Sequence, residues 1–347
     1  MKYLITCLIF FIFISSTSVG QAGAGKEQIH DRQIFVPTTI SVPAQKVLEM
    51  GKQVGFYKKV VPSPDDTAGW RKLGQGNEAG AANSIAKMMQ DTAVLIRDST
   101  IAGIPVLDVK PRRWKENGKL IVFLHGGAYT LNSARTALTN VLPLVKLSGY
   151  RVISIDYTKA PFAKWDKMQA EVVDVFKALL SKGYKMKNMG IYGASAGGGL
   201  AACTVLNLRD KGLGMPAAAV LWSPWADLSN EGDSPVTLEQ QDPILSYPNL
   251  LEPSAKAFAN GLDLKDPRIS PVYADFKKGF SPALIQEGTK CIFLSTSIRL
   301  YQRLDEAGQK SVIDMYEGMV HVFQQLPLPE ANYAVGKTAD FFRKYLK

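Results

Sequence analysis

The sequence predicts an α/β fold, a mostly parallel sheet covered by helices on both faces, and three observations carry that expectation. Residues 120–124 and 218–222 are wholly apolar runs of strand length, the pattern of strands buried on both faces. Stretches of helical period alternate with such runs; across 166–180, Val172, Val173, Phe176, Leu179 and Leu180 recur at helical spacing. Between an apolar run at 189–192 and a helix-like stretch at 200–208 sits a glycine-rich turn from Gly193 to Gly199, with Ser195 inside it. Alternation of this kind places any site at the carboxyl ends of the central strands.

In chain order, Lys2 precedes an apolar stretch over 3–14 that is too short to span a bilayer, followed by small residues to Ala24. This reads as a secretory signal peptide over 1–24, so the mature protein is expected to be exported, periplasmic or secreted, with no membrane span left. Residues 25–90 read as a lead-in or cap, with helices at 45–54 and 79–89 and loops at 62–66 and 72–76. The core is expected over 91–347. It opens with a meander of two strands, 93–98 and 104–109, around Ala102 and Gly103. Next come the strand 120–124, a helix through 142–147, the strand 152–155, the helix 166–180, and the strand, turn and helix around Ser195. After 218–222, residues of about 225–280 break the alternation with Pro, Gly, Asn and Asp and read as a second cap segment, helical near 253–260. The core resumes with a strand at 283–286, a helix at 298–307, a strand at 312–316 and a last helix at about 332–345.

The chain carries 41 Lys and Arg against 31 Asp and Glu, a net charge of +10. That charge is dispersed without a long basic run, which reads as a solvated surface and gives no support to nucleic-acid binding. Only Cys203 and Cys291 lie beyond the signal segment, so no disulfide scaffold is expected, and no zinc-type spacing occurs.

Gly193, Ser195 and Gly197 form the pattern Gly-x-Ser-x-Gly at a strand-to-helix junction. There the serine needs strained backbone angles, and its second neighbours must lack side chains. A serine hydroxyl becomes a useful nucleophile when a neighbour takes its proton, and imidazole titrates near the working pH. Of three histidines, His30 lies in the lead-in and His125 opens a glycine turn. His321, after the strand 312–316, is the base by elimination and chain order. The amides of Gly126, Gly127 and Ala196 are candidate donors to an oxyanion.

Taken together, residues 125–128, 193–197 and 318–323 resemble the hormone-sensitive-lipase-like family of α/β-hydrolase esterases. Asp156 with Tyr157, Ala160 with Pro161, and the segments 223–228 and 266–271 add to the likeness, which runs from about residue 35 to the end. The resemblance implies an α/β-hydrolase core with a helical cap and cofactor-free hydrolysis of short-to-medium acyl esters, the partner being a small-molecule ester. It implies Ser195 as nucleophile, His321 as base, and Gly126, Gly127 and Ala196 as oxyanion donors. Two departures stand out. Ala128 replaces the usual third glycine, and the position of the catalytic carboxylate, about three residues past Gly288, holds Cys291; a second frequent Asp is Thr296. Three readings follow. Glu287 substitutes for the acid in a shifted loop; Ser195 and His321 work as a weak dyad; or the chain is a degenerate hydrolase that binds a small molecule without turning it over. A thiolate at Cys291 would also orient His321, a neutral thiol only poorly.

Overall fold

A computed structural model describes residues 34–53 and 61–347. The signal-peptide reading of 1–24, His30 and most of the first lead-in residues therefore lie outside the described residues. Eight strands form one sheet. In chain order they are β1 (Val94–Ile101), β2 (Ile104–Pro111), β3 (Leu120–Leu124), β4 (Arg151–Ile155), β5 (Met189–Ala194), β6 (Ala218–Trp222), β7 (Ala283–Gly288) and β8 (Ser311–Tyr316). Their order across the sheet is β1-β2-β4-β3-β5-β6-β7-β8. From β4 to β8 all neighbours are parallel, while the hairpin β1–β2 joins β4 antiparallel at one edge.

Eight main helices accompany the sheet: α1 (Val42–Gln53), α2 (Thr67–Met89), α3 (Leu138–Ser148), α4 (Trp165–Ser181), α5 (Ala196–Asp210), α6 (Glu252–Ala259), α7 (Leu294–Glu306) and α8 (Pro329–Tyr345). The two-residue period of β3 divides the core between the faces of the sheet. Leu120, Val122 and Leu124 pack with Val172 and Phe176 of α4 and Val205 of α5; Ile121 and Phe123 pack with Val141 and Val145 of α3 and Phe342 of α8. A smaller cluster joins Ala44 and Leu48 of α1 to Tyr316, Met319, Val320 and Phe323, so the lead-in packs against the loop that carries His321.

Residues 72–76, expected as a loop, lie inside α2. Asp66 caps that helix by accepting from the Gly69 amide at 2.8 Å, and the buried Trp70 donates its indole N–H to the Ser63 carbonyl at 2.9 Å. Each glycine costs a helix interior about 1 kcal/mol. The cap contributes about 1 kcal/mol, and burial of an aromatic ring about 1.5–3 kcal/mol, so the helix survives Gly74 and Gly76. Residues 294–297, expected as loop, are the first turn of α7, and β7 runs on through Glu287 to Gly288.

Phe342 pins α8 to the sheet. A Cβ on Gly190 would come within 2.5 Å of its ring, and Tyr192 meets it edge-on with centroids 6.2 Å apart. Phe342→Ala should therefore lower unfolding stability in urea by about 3–5 kcal/mol, the cost of emptying a buried aromatic site.

Candidate active site

Ser195 sits between β5 and α5 with φ 58° and ψ −123°, the strained turn that the sequence pattern demands. A Cβ on Gly193 would run into the carbonyl of Gly197, and one on Gly197 into the carbonyl of Leu124. Both glycines are therefore required by contact with backbone. The Ser195 amide donates to the Trp222 carbonyl at 2.9 Å, and its own carbonyl accepts from Gly198 at 2.9 Å and Trp225 at 3.0 Å. The serine is 7% exposed, at the N-terminus of α5.

The turn after β3 lies against this elbow. A Cβ on Gly126 would stand 2.8 Å from the Ala194 carbonyl and 3.1 Å from Ser195 Cβ, and Gly127 has φ 113°. Within the described residues, the amides of Gly126, Gly127 and Ala196 donate to no backbone group outside the regular elements. His125 beside them is fully buried. Its Nδ1 pairs with the Gly126 carbonyl at 2.7 Å, its ring stacks on Tyr157 at 4.1 Å, and Tyr157 Oη donates to its carbonyl at 2.6 Å. Burial first, then Lys159, pushes its pKa down to about 4, against the opposing pull of Asp156. His125 holds the loop and stays neutral.

His321 follows β8 on a loop tied to the same neighbourhood, where the Val322 amide donates to Ser223 Oγ at 3.1 Å, one residue beyond Trp222. Its ring is 6% exposed and meets Phe293 edge-on at 5.1 Å. Burial alone pushes its pKa down to about 3, so the imidazole is neutral and able to accept a proton. The partner of Nδ1 is Cys291 Sγ, at 3.2 Å. The thiol is completely buried, accepts from the Phe293 amide at 3.4 Å, and is driven far above the ordinary thiol range by burial, then by Glu287 and Asp242. It is neutral, and the thiolate reading is set aside.

Glu287 has no hydrogen bond to His321 among the described residues; it is a β7 strand residue and not part of a shifted loop. Its carboxylate accepts from the Gly288 amide at 2.9 Å and from Ser297 Oγ at 2.8 Å, and Ser223 and Cys291 lie close enough to act on it. Burial pushes its pKa up to about 7 against the pull of these four neighbours. Asp242, equally buried, accepts from the Ile292 amide at 3.0 Å and so fixes the loop that carries Cys291. Thr296 is buried in α7.

Reasoning from sequence overlooked Ser223, Ser297 and Asp242 as members of this cluster. Ser223 had a trace in the 223–228 segment, but Asp242 and Ser297 had none, being placed by folding alone. Among the described residues no three His, Cys, Asp or Glu side chains gather as a metal-binding group, and no helix is long and apolar enough to cross a membrane.

A family model described as an alpha/beta hydrolase fold matches residues 121–325. An esterase of Acinetobacter venetianus is 32% identical over 254 residues, covering 73% of this chain and 83% of that protein. A putative acetyl-hydrolase of Mycobacterium tuberculosis is 35% identical over 256 residues, covering 71% and 80%. Among solved structures, an esterase from the bacterial hormone-sensitive lipase family superposes with a TM-score of 0.77 at 26% identity, over 88% of this chain and 99% of that one. Another esterase reaches a TM-score of 0.82 at 27% identity, over 93% and 99%.

Glu287 carries a pH signature. An unfolded glutamate releases its proton near 4.5, whereas the folded protein keeps it to about 7, so its contribution to stability falls as pH rises through that window. Glu287→Gln removes that slope. Its Tm relative to the natural protein should rise between pH 5 and pH 8; an identical Tm difference at both would show that Glu287 does not titrate there.

Proposed function

The chain belongs to the α/β-hydrolase family, on the branch of the hormone-sensitive-lipase-like carboxylesterases, and on that premise we propose that it is a serine esterase of short-to-medium acyl esters. The observation that carries the reading is the Ser195 elbow, whose strained serine faces Gly126 across a gap that no side chain larger than glycine fits. His321 Nε2 takes the Ser195 proton as Oγ attacks the ester carbonyl. The amides of Gly126, Gly127 and Ala196 receive the negative oxygen, a contribution of about 3–4 kcal/mol for a single donor in comparable sites. Collapse of the tetrahedral intermediate expels the alcohol, protonated by His321, and water attacks the acyl-enzyme by the same route in reverse.

Cys291 stands where the acid would and offers Nδ1 a neutral sulfur, which orients the ring without a charge of its own. In a well-studied triad, neutralising the acid costs roughly 10⁴-fold in rate. The oxyanion donors and substrate binding retain about 10³–10⁴-fold over water even when a triad member is removed. Activity is therefore expected on esters with a good leaving group, which needs little protonation. The neutral thiol also favours a second reading, a binding protein that retains the fold without turnover. We also propose that the chain is exported after cleavage near residue 24, which the mature N-terminus of the secreted or periplasmic protein tests.

Hydrolysis of p-nitrophenyl acetate and butyrate decides between enzyme and binder. Ser195→Ala should reduce kcat to the background of the assay while leaving Tm within a few degrees. Equal rates with and without the Ser195 hydroxyl would end the esterase reading and leave the binding protein.

A further inference from the structure

The buried carboxylate of Glu287 is not used by the chemistry described so far, and its surroundings are unusual. Two donors hold it, the Gly288 amide at 2.9 Å and the Ser297 hydroxyl at 2.8 Å, and the Ser223 hydroxyl and the Cys291 thiol lie close enough to act on it. None is a cation, and Lys290 nearby turns its ammonium to Gln241. The same thiol sulfur lies 3.2 Å from His321 Nδ1. Ser223 makes a second link, accepting from the Val322 amide beside the histidine. A thiol has one proton to give and a lone pair to receive with. With its proton directed to Glu287, the sulfur accepts from Nδ1–H, which leaves Nε2 unprotonated as the base.

We propose that Glu287 supplies the negative charge for His321 at one remove, through the Cys291 thiol, and is a positioning residue of the esterase site. The inference rests on the serine-esterase reading and deepens it. In the reaction, Ser195 Oγ bonds to the carbonyl carbon as the C=O pair moves to oxygen, and the Ser195 proton goes to Nε2. Nδ1–H stays on nitrogen and S–H stays on sulfur, since the thiol is the weaker acid of the pair with Glu287. No further proton moves, and the charge on Glu287 persists behind the imidazolium. In the resting protein Glu287 is protonated below about 7 and His321 only near 3, so the two are not charged together. They become a pair only as Nε2 gains the serine proton, which confines the stabilisation to the transition state.

The titratable group acting on this carboxylate is Cys291, on the loop after β7; the thiol in turn meets His321 from the loop after β8 and is acted on by Asp242 from the segment before α6. Cys291 and His321 are both neutral at neutral pH, so kcat should rise with pH through an ionisation near 7 that belongs to Glu287.

The test uses the full-length protein, p-nitrophenyl butyrate and pH 5 to 9. Glu287→Gln should lower kcat at pH 8 at least tenfold with KM within twofold, and should abolish the ionisation near 7. Cys291→Ala breaks the link, so it should also abolish that ionisation, and adding Glu287→Gln to it should cost nothing more. Cys291→Ser, which still donates and accepts, should keep the ionisation. Placing Cys291→Asp in the Glu287→Gln background should restore kcat, because the acid then meets Nδ1 directly. An unchanged kcat and pH profile in Glu287→Gln would overturn the relay, as would an equal loss from Glu287→Gln with and without Cys291→Ala. If Glu287→Gln does not fold, the contrast between Cys291→Ala and Cys291→Ser decides alone, and loss of the ionisation in neither or in both sinks the idea. Ser195→Ala separates the two levels: a dead Ser195→Ala beside an unaffected Glu287→Gln removes only the relay, whereas an active Ser195→Ala removes the esterase reading itself.

Discussion

The strained peptide at Ser195 is the constraint around which the carboxyl edge of the sheet is built. A non-glycine residue at φ 58° and ψ −123° is held there only because its surroundings leave no alternative. Its amide is bound by Trp222 at the end of β6, and its carbonyl by Gly198 and Trp225. Gly197 lies against the carbonyls of Leu124 and His125 at the end of β3, which brings the glycine turn against the serine. Three neighbouring strand ends therefore meet at one residue. Ser223, the next residue along from Trp222, then binds the amide beside His321 and the carboxylate of Glu287. His321 is placed by the same hydrogen-bonded edge that places Ser195.

That edge is dry, and dryness sets the electrostatics. Burial takes His321 from an ordinary 6.5 to about 3, equivalent to about 5 kcal/mol against forming the imidazolium. The figure is of the same order as the roughly 10⁴-fold lost when a triad acid is neutralised, which is again about 5 kcal/mol. A neutral thiol settles the tautomer of the ring but leaves this charge term almost untouched. Whatever anion answers it must lie beyond the sulfur, and among the described residues Glu287 is a carboxylate close enough to act on that sulfur.

The fold was readable because its periods are clean. Residues 120–124 and 218–222 are strands to the residue, since runs buried on both faces have no polar positions to blur their ends. The elbow was readable because glycine is required by contact with backbone, which no neighbouring side chain can relieve. Where the reading failed, tertiary contact had overridden local preference. Gly74 and Gly76 looked like a loop, but the Asp66 cap and the buried Trp70 carry the helix through them. The sequence offers Glu287 as an acid on a moved loop, whereas it lies in the strand β7 next to the Cys291 sulfur. Ser297 and Asp242 could not be read at all, because ten and some fifty residues of chain separate them from what they bind, without any periodic pattern to connect them.

The thiol at 291 then has a physical reading other than decay. A carboxylate there would be buried with Glu287, and with Asp242 close enough to act on position 291. Carboxylates so crowded cannot all ionise; one holds a proton, and a protonated acid at Nδ1 gives no more charge than a thiol does. Cys291 avoids that repulsion while keeping one proton for Glu287 and one lone pair for His321. Cysteine and glutamate are in this sense a matched pair, each explaining the other. Glu287 without the thiol would be a buried charge with no use, and the thiol without Glu287 would be a neutral spacer. Together they set the negative charge behind the sulfur that meets Nδ1, further back than a carboxylate at position 291 would hold it.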